Sequence, residues 1–293
     1  MKLGLGTVQF GMDYGISNQK GQTPESEVKE VLSLAVQRGL KVIDTACRYG
    51  NSEEMIGHCI PENNTFRIVT KTPIFKKKCI DREDAQLLKQ TFYSSLKKLR
   101  QQSIYGLLIH YSDDLLCENG SMLWESMQEL KEEGLVKKIG VSVYSPAQVD
   151  AILAFYNIDL VQLPVNIFDQ RMIQHGHLKK LKDLGIEIHS RSVFLQGLLL
   201  MNPEEMPEYF SSIRDKMMKY REYLRTNSMS QIQAALTFVY RIPEIDTVIV
   251  GVNDSRQFRA LCEIKCSDAL QYQIDFSSYY IEDERIINPF HWN

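Results

Sequence analysis

The sequence predicts an α/β protein in which eight parallel strands, each followed by helical sequence, close into a (β/α)8 barrel. Three observations support this fold class: eight short apolar segments recur along the chain, helical segments separate them, and no low-complexity linker interrupts the series. Regular alternation of strands with helices is typical of a parallel sheet. A count of eight favours a closed barrel over an open, doubly wound sheet. We therefore expect residues 1–293 to form a single domain.

The first half of the chain contributes four predicted strand–helix pairs. Leu88, Phe92 and Leu96 recur at helical spacing, and Gly39 and Gly134 follow the last periodic residues of two helices. The strands are predicted at residues 3–8, 42–45, 67–72 and 105–110. The helices are predicted at residues 25–38, 53–59, 84–100 and 122–133.

The second half repeats the pattern and then ends in an aromatic tail. Its strands are predicted at residues 138–143, 160–165, 186–192 and 247–251, and its helices at residues 146–156, 174–184, 213–224, 230–240 and 255–262. The tail, residues 271–293, contains Tyr272, Phe276, Tyr279, Tyr280, Phe290 and Trp292. Because the barrel is complete before the tail, we expect the tail to fold over one mouth, where it either lines a substrate pocket or packs against the barrel or a second subunit.

Composition and charge exclude several classes of function. With 293 residues, 44% of them hydrophobic, and a formal net charge of −3, the chain has enough apolar side chains for a large core and no positive excess to attract nucleic acid or an anionic membrane. No apolar run approaches the roughly 20 residues that cross a bilayer. The N-terminus begins with strand-like sequence and shows no signal peptide. The 6 cysteines lack metal-ligand spacing, so we expect no metal site, reduced thiols and a cytoplasmic location.

Three neighbouring predicted strands each end in an ionisable residue. Asp44 ends the second strand, Lys71 the third and His110 the fourth, and Tyr49 follows Asp44 in a turn before the next helix. Taken singly, such residues are more often a helix cap, a solvated charge, a buried histidine and a packing ring. Because the carboxyl ends of barrel strands converge at one rim, we expect the four side chains to form one site.

This combination of groups suits proton transfer to an oxygen atom. A tyrosine phenol has a pKa of about 10, and an ammonium group beside it, here Lys71, is expected to lower that pKa. Asp44 would keep Lys71 charged and in place, and His110 would hydrogen-bond the substrate oxygen or the phenol. The four residues therefore predict protonation of a carbonyl, or deprotonation of an alcohol, while a cofactor handles the hydride.

Short motifs that run in order through nearly the whole chain resemble those of the aldo-keto reductase superfamily. Around the four residues the motifs are Leu5-Gly6-Thr7, Asp44-Thr45-Ala46, Tyr49-Gly50-Asn51-Ser52-Glu53, Val69-Thr70-Lys71 and Leu107-Leu108-Ile109-His110. Further along they are Ile139-Gly140-Val141-Ser142, Val161-Gln162-Leu163-Pro164-Val165-Asn166 and Ile249-Val250-Gly251. The chain has no GxGxxG between a strand and a helix, which is consistent with this resemblance.

The resemblance implies a TIM barrel that binds NADP(H) without a Rossmann domain and transfers hydride between nicotinamide and an aldehyde, ketone, alcohol or sugar-like substrate. By position, the family's catalytic tetrad is matched by Asp44, Tyr49, Lys71 and His110, with Tyr49 as general acid or base. The residues that match cofactor-binding positions are Gly6, Thr7, Ser142, Gln162, Arg191, Ser192, Gly251, Asn253, Arg256 and Gln257. Of these, the resemblance implies that Ser142 and Gln162 hold the nicotinamide carboxamide.

Three positions depart from the family pattern. Val143 replaces an asparagine of many members, and Arg191 replaces an aromatic residue that stacks on nicotinamide. Asn253 replaces the usual basic residue for the adenosine 2′-phosphate, and Arg256 is either a substitute for that residue or an ordinary surface charge. NADP(H) is therefore the expected cofactor and NAD(H) the alternative.

Two other functions fit the same fold. One is a non-catalytic NADP(H)-binding regulatory module, against which the complete tetrad argues. The other is a barrel lyase or isomerase that forms a Schiff base through Lys71. Asp44 and His110 favour an ammonium that acts by its charge over a nucleophilic amine.

Overall fold

The computed structural model describes residues 2–264 and 275–292, and it contains the eight predicted parallel strands as a closed barrel in sequence order. The strands are β1 (Leu3–Gly6), β2 (Val42–Asp44), β3 (Arg67–Lys71), β4 (Ile104–Ile109), β5 (Val136–Ser142), β6 (Leu160–Pro164), β7 (Glu187–Arg191) and β8 (Thr247–Gly251). Closure is made by β1, where Gly6 pairs with Asp44 on one side and with Gly251 on the other. The predicted (β/α)8 TIM barrel is confirmed.

Helices surround the barrel on the outside. They are α1 (Val8–Gly11), α2 (Glu25–Gln37), α3 (Ser52–Cys59), α4 (Arg82–Leu99), α5 (Ser121–Glu132), α6 (Pro146–Leu153), α7 (Arg171–Gln174), α8 (His177–Asp183), α9 (Arg214–Thr226), α10 (Gln231–Tyr240), α11 (Ser255–Glu263) and α12 (Glu284–Ile287). Short 3₁₀ helices occupy Ser112–Leu115, Leu195–Leu200, Pro203–Glu205, Glu208–Ile213, Ser277–Tyr279 and Pro289–His291. Of the helices that the structure describes, none has the length and apolar character needed to cross a membrane.

The inside of the barrel is filled by apolar side chains from five of the strands, β2, β3, β4, β6 and β8. Val42, Val69, Leu108, Leu160 and Ile249 form this inner cluster, and all five are buried. A larger apolar layer lies between the strands and the helices. Layers of branched side chains make such a barrel a packed core and not a pore, so ligands are confined to its ends.

A polar cluster around Glu187 closes the N-terminal end of the barrel. The Glu187 carboxylate accepts hydrogen bonds from Tyr105 Oη and Lys138 Nζ, each at 2.6 Å, and from His189 Nε2 at 2.8 Å. His189 itself is fully buried. This end therefore ties β4, β5 and β7 together at a distance from the carboxyl ends of the strands.

The first predicted strand ends earlier than residue 8. The Thr7 amide and hydroxyl both donate to the carbonyl oxygen of Asp44, at 3.0 and 2.9 Å. These two hydrogen bonds hold Thr7 against β2 at the point where the chain leaves the sheet. Val8 then starts the short helix α1.

Two helix starts also differ from the prediction. The helix predicted at residues 174–184 is divided into α7 and α8, because Gly176 adopts a left-handed φ of 71° between them. Asn51, at the N-cap position of α3, makes no capping bond, and its side-chain oxygen accepts a hydrogen bond from Gln22 instead.

The described part of the aromatic tail packs over loops that follow the carboxyl ends of the strands. Phe276 is buried, with its ring centroid 6.4 Å from that of Tyr220 in α9. The Phe290 ring lies 4.8 Å from that of Tyr144, two residues after β5. The expected position over one mouth is therefore confirmed for this part, while Tyr272 lies outside the described residues.

Candidate active site

A cleft of about 370 Å³ opens at the carboxyl ends of the strands. Among the site residues predicted from the sequence, the following line it: Gly6, Thr7, Asp44, Tyr49, Lys71, His110, Ser142, Gln162, Arg191, Ser192, Gly251, Asn253 and Gln257. Arg256 is exposed in the first turn of α11 and does not line the cleft. The barrel thus brings together residues that are far apart in the sequence, as the convergence of its strands requires.

Lys71 and Asp44 form a buried ion pair on the floor of the cleft. Lys71 Nζ donates to both carboxylate oxygens of Asp44, at 2.7 and 2.8 Å, and to the carbonyl oxygen of Thr45 at 2.9 Å. Only 1% of the Lys71 side chain and 5% of the Asp44 side chain are exposed. Since an ammonium has three N–H donors, every donor of Lys71 is used, and its nitrogen has no lone pair available as a nucleophile.

Tyr49 lies against this ion pair and against His110. The Lys71 ammonium is 5.0 Å from the centroid of the Tyr49 ring, and the rings of Tyr49 and His110 meet edge to face at 5.9 Å. The turn that carries Tyr49 is fixed by a close approach of two backbone segments. A Cβ atom added to Gly11 would lie only 1.7 Å from the Tyr49 carbonyl oxygen, so this position requires glycine.

Burial raises the pKa of Tyr49 well above its usual range, and the negative charge of Asp44 adds to the rise. The predicted lowering of this pKa by Lys71 is therefore wrong. Loss of hydration disfavours the phenolate, and the negative charge of Asp44 acts in the same direction, against the ammonium charge of Lys71. At neutral pH, Tyr49 is therefore a protonated phenol.

Burial shifts the pKa values of His110 and Lys71 as well. Burial, together with the charges of Lys71, Arg191 and Arg48, lowers the pKa of His110 to about 3. His110 is therefore neutral at physiological pH, and its Nδ1 is buried without a hydrogen-bond partner among the described residues. Burial also lowers the pKa of Lys71, and its contacts with Asp44 oppose that effect.

Gln162 provides the observation that tests whether a nicotinamide fits here. Its Nε2 donates to Asp44 Oδ1 at 2.7 Å, and because a carboxylate only accepts, Oε1 must face away from Asp44. This buried oxygen has no hydrogen-bond partner among the described residues. A nicotinamide carboxamide offers the N–H donors that such an oxygen needs, so the cleft fits that group.

Arg191, at the end of β7, lines one wall of the cleft. Its guanidinium carbon lies 3.9 Å from the centroid of the Tyr144 ring. Nη2 donates to the carbonyl oxygen of Val143 at 3.0 Å, and Nη1 donates to Ser192 Oγ at 3.2 Å. Guanidinium groups stack on aromatic faces in this way, and the stack fixes the charge at this end of the cleft.

The other end of the cleft lies at the loop after β8. Gln257 Oε1 accepts a hydrogen bond from the Asn253 amide at 2.9 Å, and the Asp254 carboxylate caps α11 through the Gln257 amide. Asn253 Oδ1 is buried and has no partner in the described part of the chain. This loop is therefore ordered, with an acceptor left over for a ligand.

A loop after β1, which the sequence analysis did not identify, crosses the cleft. Tyr14 Oη accepts a hydrogen bond from Gln196 Nε2 at 2.9 Å, and the Ile16 amide donates to the Gln196 carbonyl at 3.2 Å. Gln196 sits after β7 with a positive φ of 53°, next to Gly197. The available signal was indirect: Tyr14-Gly15 and Gln196-Gly197 are polar or aromatic residues beside glycines in loops that follow strand ends.

No group of three or more His, Cys, Asp or Glu side chains is arranged to hold a metal ion within residues 2–264 and 275–292. The charged and titratable groups described above are one buried ion pair, a phenol, a neutral imidazole and a guanidinium, and all of them line the cleft.

Comparisons with known proteins agree with this arrangement. The family described as "Aldo/keto reductase family" matches residues 2–269. The aldo-keto reductase YhdN of Bacillus subtilis (strain 168) is 27% identical over 298 aligned residues, which cover 90% of this chain and 84% of that protein. The fold is similar to that of aldo-keto reductase AKR11C1 from Bacillus halodurans (holo form), with a TM-score of 0.71, 20% identity and coverage of 95% of this chain and 89% of that chain. Glycerol dehydrogenase AKR11B4 from Gluconobacter oxydans gives a TM-score of 0.70 at 20% identity, covering 94% of each chain. The chain belongs to the aldo/keto reductase family, whose members carry out NAD(P)H-dependent oxidoreduction of carbonyl compounds.

Proposed function

We propose that the protein reduces the carbonyl group of a small aldehyde, ketone or sugar-like substrate, with NADP(H) as cofactor and Tyr49 as the proton donor. The observation that carries this proposal is the contact of Tyr49 with Lys71 and His110 on the floor of a cleft that also holds the unpaired Gln162 oxygen. A phenol alone is a poor acid. The same phenol, with a fixed ammonium beside it, can release its proton once the carbonyl oxygen takes on negative charge.

When bound, the nicotinamide supplies a hydride to the carbonyl carbon. Tyr49 donates its hydroxyl proton to the carbonyl oxygen, so that carbonyl, hydride and proton together give the alcohol. Lys71 stabilises the phenolate that remains until solvent returns a proton. Asp44 holds Lys71 in place, and the neutral His110 orients the carbonyl oxygen by a hydrogen bond.

The Schiff-base alternative is disfavoured by the contacts of Lys71. An amine must lose its proton and present a lone pair before it attacks a carbonyl. Lys71 Nζ instead contacts three acceptors, two from Asp44 and one from Thr45. These acceptors favour the charged ammonium.

Substitution of Tyr49 by Phe tests the proposal. We expect Tyr49→Phe to bind NADPH normally and to lose about 100-fold or more in kcat, since a positioned proton donor contributes roughly that factor. Tyr93→Phe is the matched control, because Tyr93 is exposed on α4, does not line the cleft, and donates its hydroxyl hydrogen to Glu133. Oxidation of NADPH by a panel of aldehydes, ketones and sugars is the readout.

Unchanged turnover in Tyr49→Phe would contradict the proposal. Tight binding of NADPH by the unmodified protein, without oxidation by any carbonyl of the panel, would favour the regulatory module instead.

For the cofactor, we propose that Arg256 recognises the 2′-phosphate that distinguishes NADP from NAD. Arg256 is exposed next to Gln257 and Asn253 at the end of the cleft, and a guanidinium binds phosphate through paired hydrogen bonds. Replacing Arg256 by Gln should weaken NADPH binding about tenfold, the loss of roughly one charge-assisted contact, and leave NADH binding unchanged. Equal effects on both cofactors would assign Arg256 to the surface.

A further inference from the structure

The charges at the reacting end of the cleft do not cancel. Among the lining residues that the structure describes, the ionisable side chains other than tyrosines are Asp44, Lys71, His110 and Arg191. Asp44 and Lys71 compensate each other at 2.7 Å. His110, with a pKa of about 3, is neutral. Arg191 is left as the one uncompensated charge of this lining.

Arg191 is held in this place by its neighbours. It stacks on Tyr144 at 3.9 Å and donates hydrogen bonds to Val143 and Ser192. Tyr144 is backed in turn by Phe290, at 4.8 Å between ring centroids. None of the ion pairs found in residues 2–264 and 275–292 joins Arg191 to a carboxylate. The guanidinium is thus held by neutral partners, and no carboxylate of the described residues pairs with its positive charge.

The charge of Arg191 reaches the groups that carry out the chemistry. It contributes to the lowered pKa of His110 and Lys71, and it opposes the rise in the pKa of Tyr49. Tyr49 follows β2, Lys71 ends β3 and His110 follows β4, so the effect extends across the floor of the cleft. Any ring bound between Gln162 and Tyr49 lies within the same positive field.

The oxidised and reduced forms of a nicotinamide cofactor differ in charge only at the nicotinamide ring. The oxidised ring carries a formal positive charge and the reduced ring carries none, whereas the phosphates, riboses and adenine are the same in both. We infer that Arg191 makes the cleft bind the reduced cofactor in preference to the oxidised one, and thereby sets the protein to carbonyl reduction. This inference rests on the proposed function, because it requires the nicotinamide to bind beside Tyr49.

Binding measurements test the inference without turnover. We would titrate the unmodified protein, Arg191→Met and Arg191→Lys with NADPH and with NADP⁺ by calorimetry, and take the ratio of the two Kd values for each protein. The unmodified protein should bind NADPH at least about tenfold more tightly than NADP⁺, as expected for one partly screened unit charge. Arg191→Met should lose most of that ratio by gaining affinity for NADP⁺, and Arg191→Lys should retain it.

Arg48→Met is a second variant that leaves the stack with Tyr144 intact. Arg48 is exposed and its charge also acts on His110. Because solvent screens exposed charges, the ratio of the two Kd values should change by less than about threefold in Arg48→Met. Equal Kd values for the two forms in the unmodified protein would overturn the inference, and so would equal weakening of both forms in Arg191→Met. If neither form binds the unmodified protein, the proposed function itself fails, which is a distinct result.

Discussion

Gln162 on β6 donates a hydrogen bond of 2.7 Å to the Asp44 carboxylate on β2, across the mouth of the barrel. The same carboxylate holds Lys71, and the Asp44 backbone carbonyl holds Thr7. The side chain that we assign to the carboxamide of the cofactor therefore touches the side chain that fixes the ammonium beside Tyr49. The two halves of the proposed reaction, hydride and proton, share one rigid support.

Replacing Gln162 by Leu should weaken cofactor binding and destabilise the ion pair. The variant loses the unpaired Oε1 acceptor and leaves Asp44 with one donor fewer, at a cost of about 1–3 kcal/mol in the free energy of unfolding. The Kd of NADPH should rise about tenfold, equivalent to one lost hydrogen bond. Gln37→Leu, on the exposed face of α2, is the control. Fluorescence titration and urea unfolding report the two effects, and an unchanged Kd would remove Gln162 from the cofactor site.

Removing one partner of the buried ion pair should lower the free energy of unfolding more than removing both partners. Lys71→Met leaves the Asp44 charge buried without its partner, which typically lowers the free energy of unfolding by about 3–5 kcal/mol. The double variant Asp44→Leu/Lys71→Met removes both charges and should recover part of that loss. Urea unfolding of the single and double variants measures the difference. A double variant less stable than Lys71→Met would show that the pair stabilises the barrel beyond its mutual compensation.

His110 should make the protein less stable in acid. Its pKa falls from 6.5 to about 3 in the folded protein, so the unfolded chain takes up the proton first as the pH decreases. The stability that His110 contributes is complete above pH 6.5 and is lost progressively towards pH 3. In His110→Gln the free energy of unfolding should decline less steeply over this window, whereas the control His58→Gln, in the exposed face of α3, should follow the unmodified protein. Parallel slopes in His110→Gln and the unmodified protein would contradict the assignment.

Glu187 should matter for stability and not for turnover. Its pKa is held below the usual range of a carboxyl group by hydrogen bonds from His189, Lys138 and Tyr105, which outweigh the effect of burial. The ionised carboxylate therefore stabilises the fold above its normal pKa of 4.5, and this contribution is lost as the pH falls below that value. Glu187→Gln should lower the free energy of unfolding by about 1–3 kcal/mol near neutral pH, with kcat unchanged. Altered kcat at unchanged stability would reverse this expectation.

The sequence predicted the barrel because each strand is marked by its own apolar run, and the run lengths and stop signals are local properties. The positions of Asp44, Lys71 and His110 at strand ends were predictable for the same reason. The pKa of Tyr49 was not, because it depends on how much water the folded cleft excludes and on Asp44 compensating Lys71. The stack of Arg191, the last residue of β7, on Tyr144, in the loop after β5, joins residues 47 positions apart (191 − 144), and no local pattern encodes such a contact. Gly176 interrupts a predicted helix because its left-handed backbone separates α7 from α8, which the apolar periodicity of the segment does not reveal.

The contact of Phe290 with Tyr144 has a consequence for the carboxyl terminus. The last residues of the chain buttress the ring on which the Arg191 charge rests. Removing the Phe290 ring would loosen this wall of the cleft without touching any strand. A substitution at Phe290 would therefore shift the guanidinium from a segment that contributes no strand to the barrel.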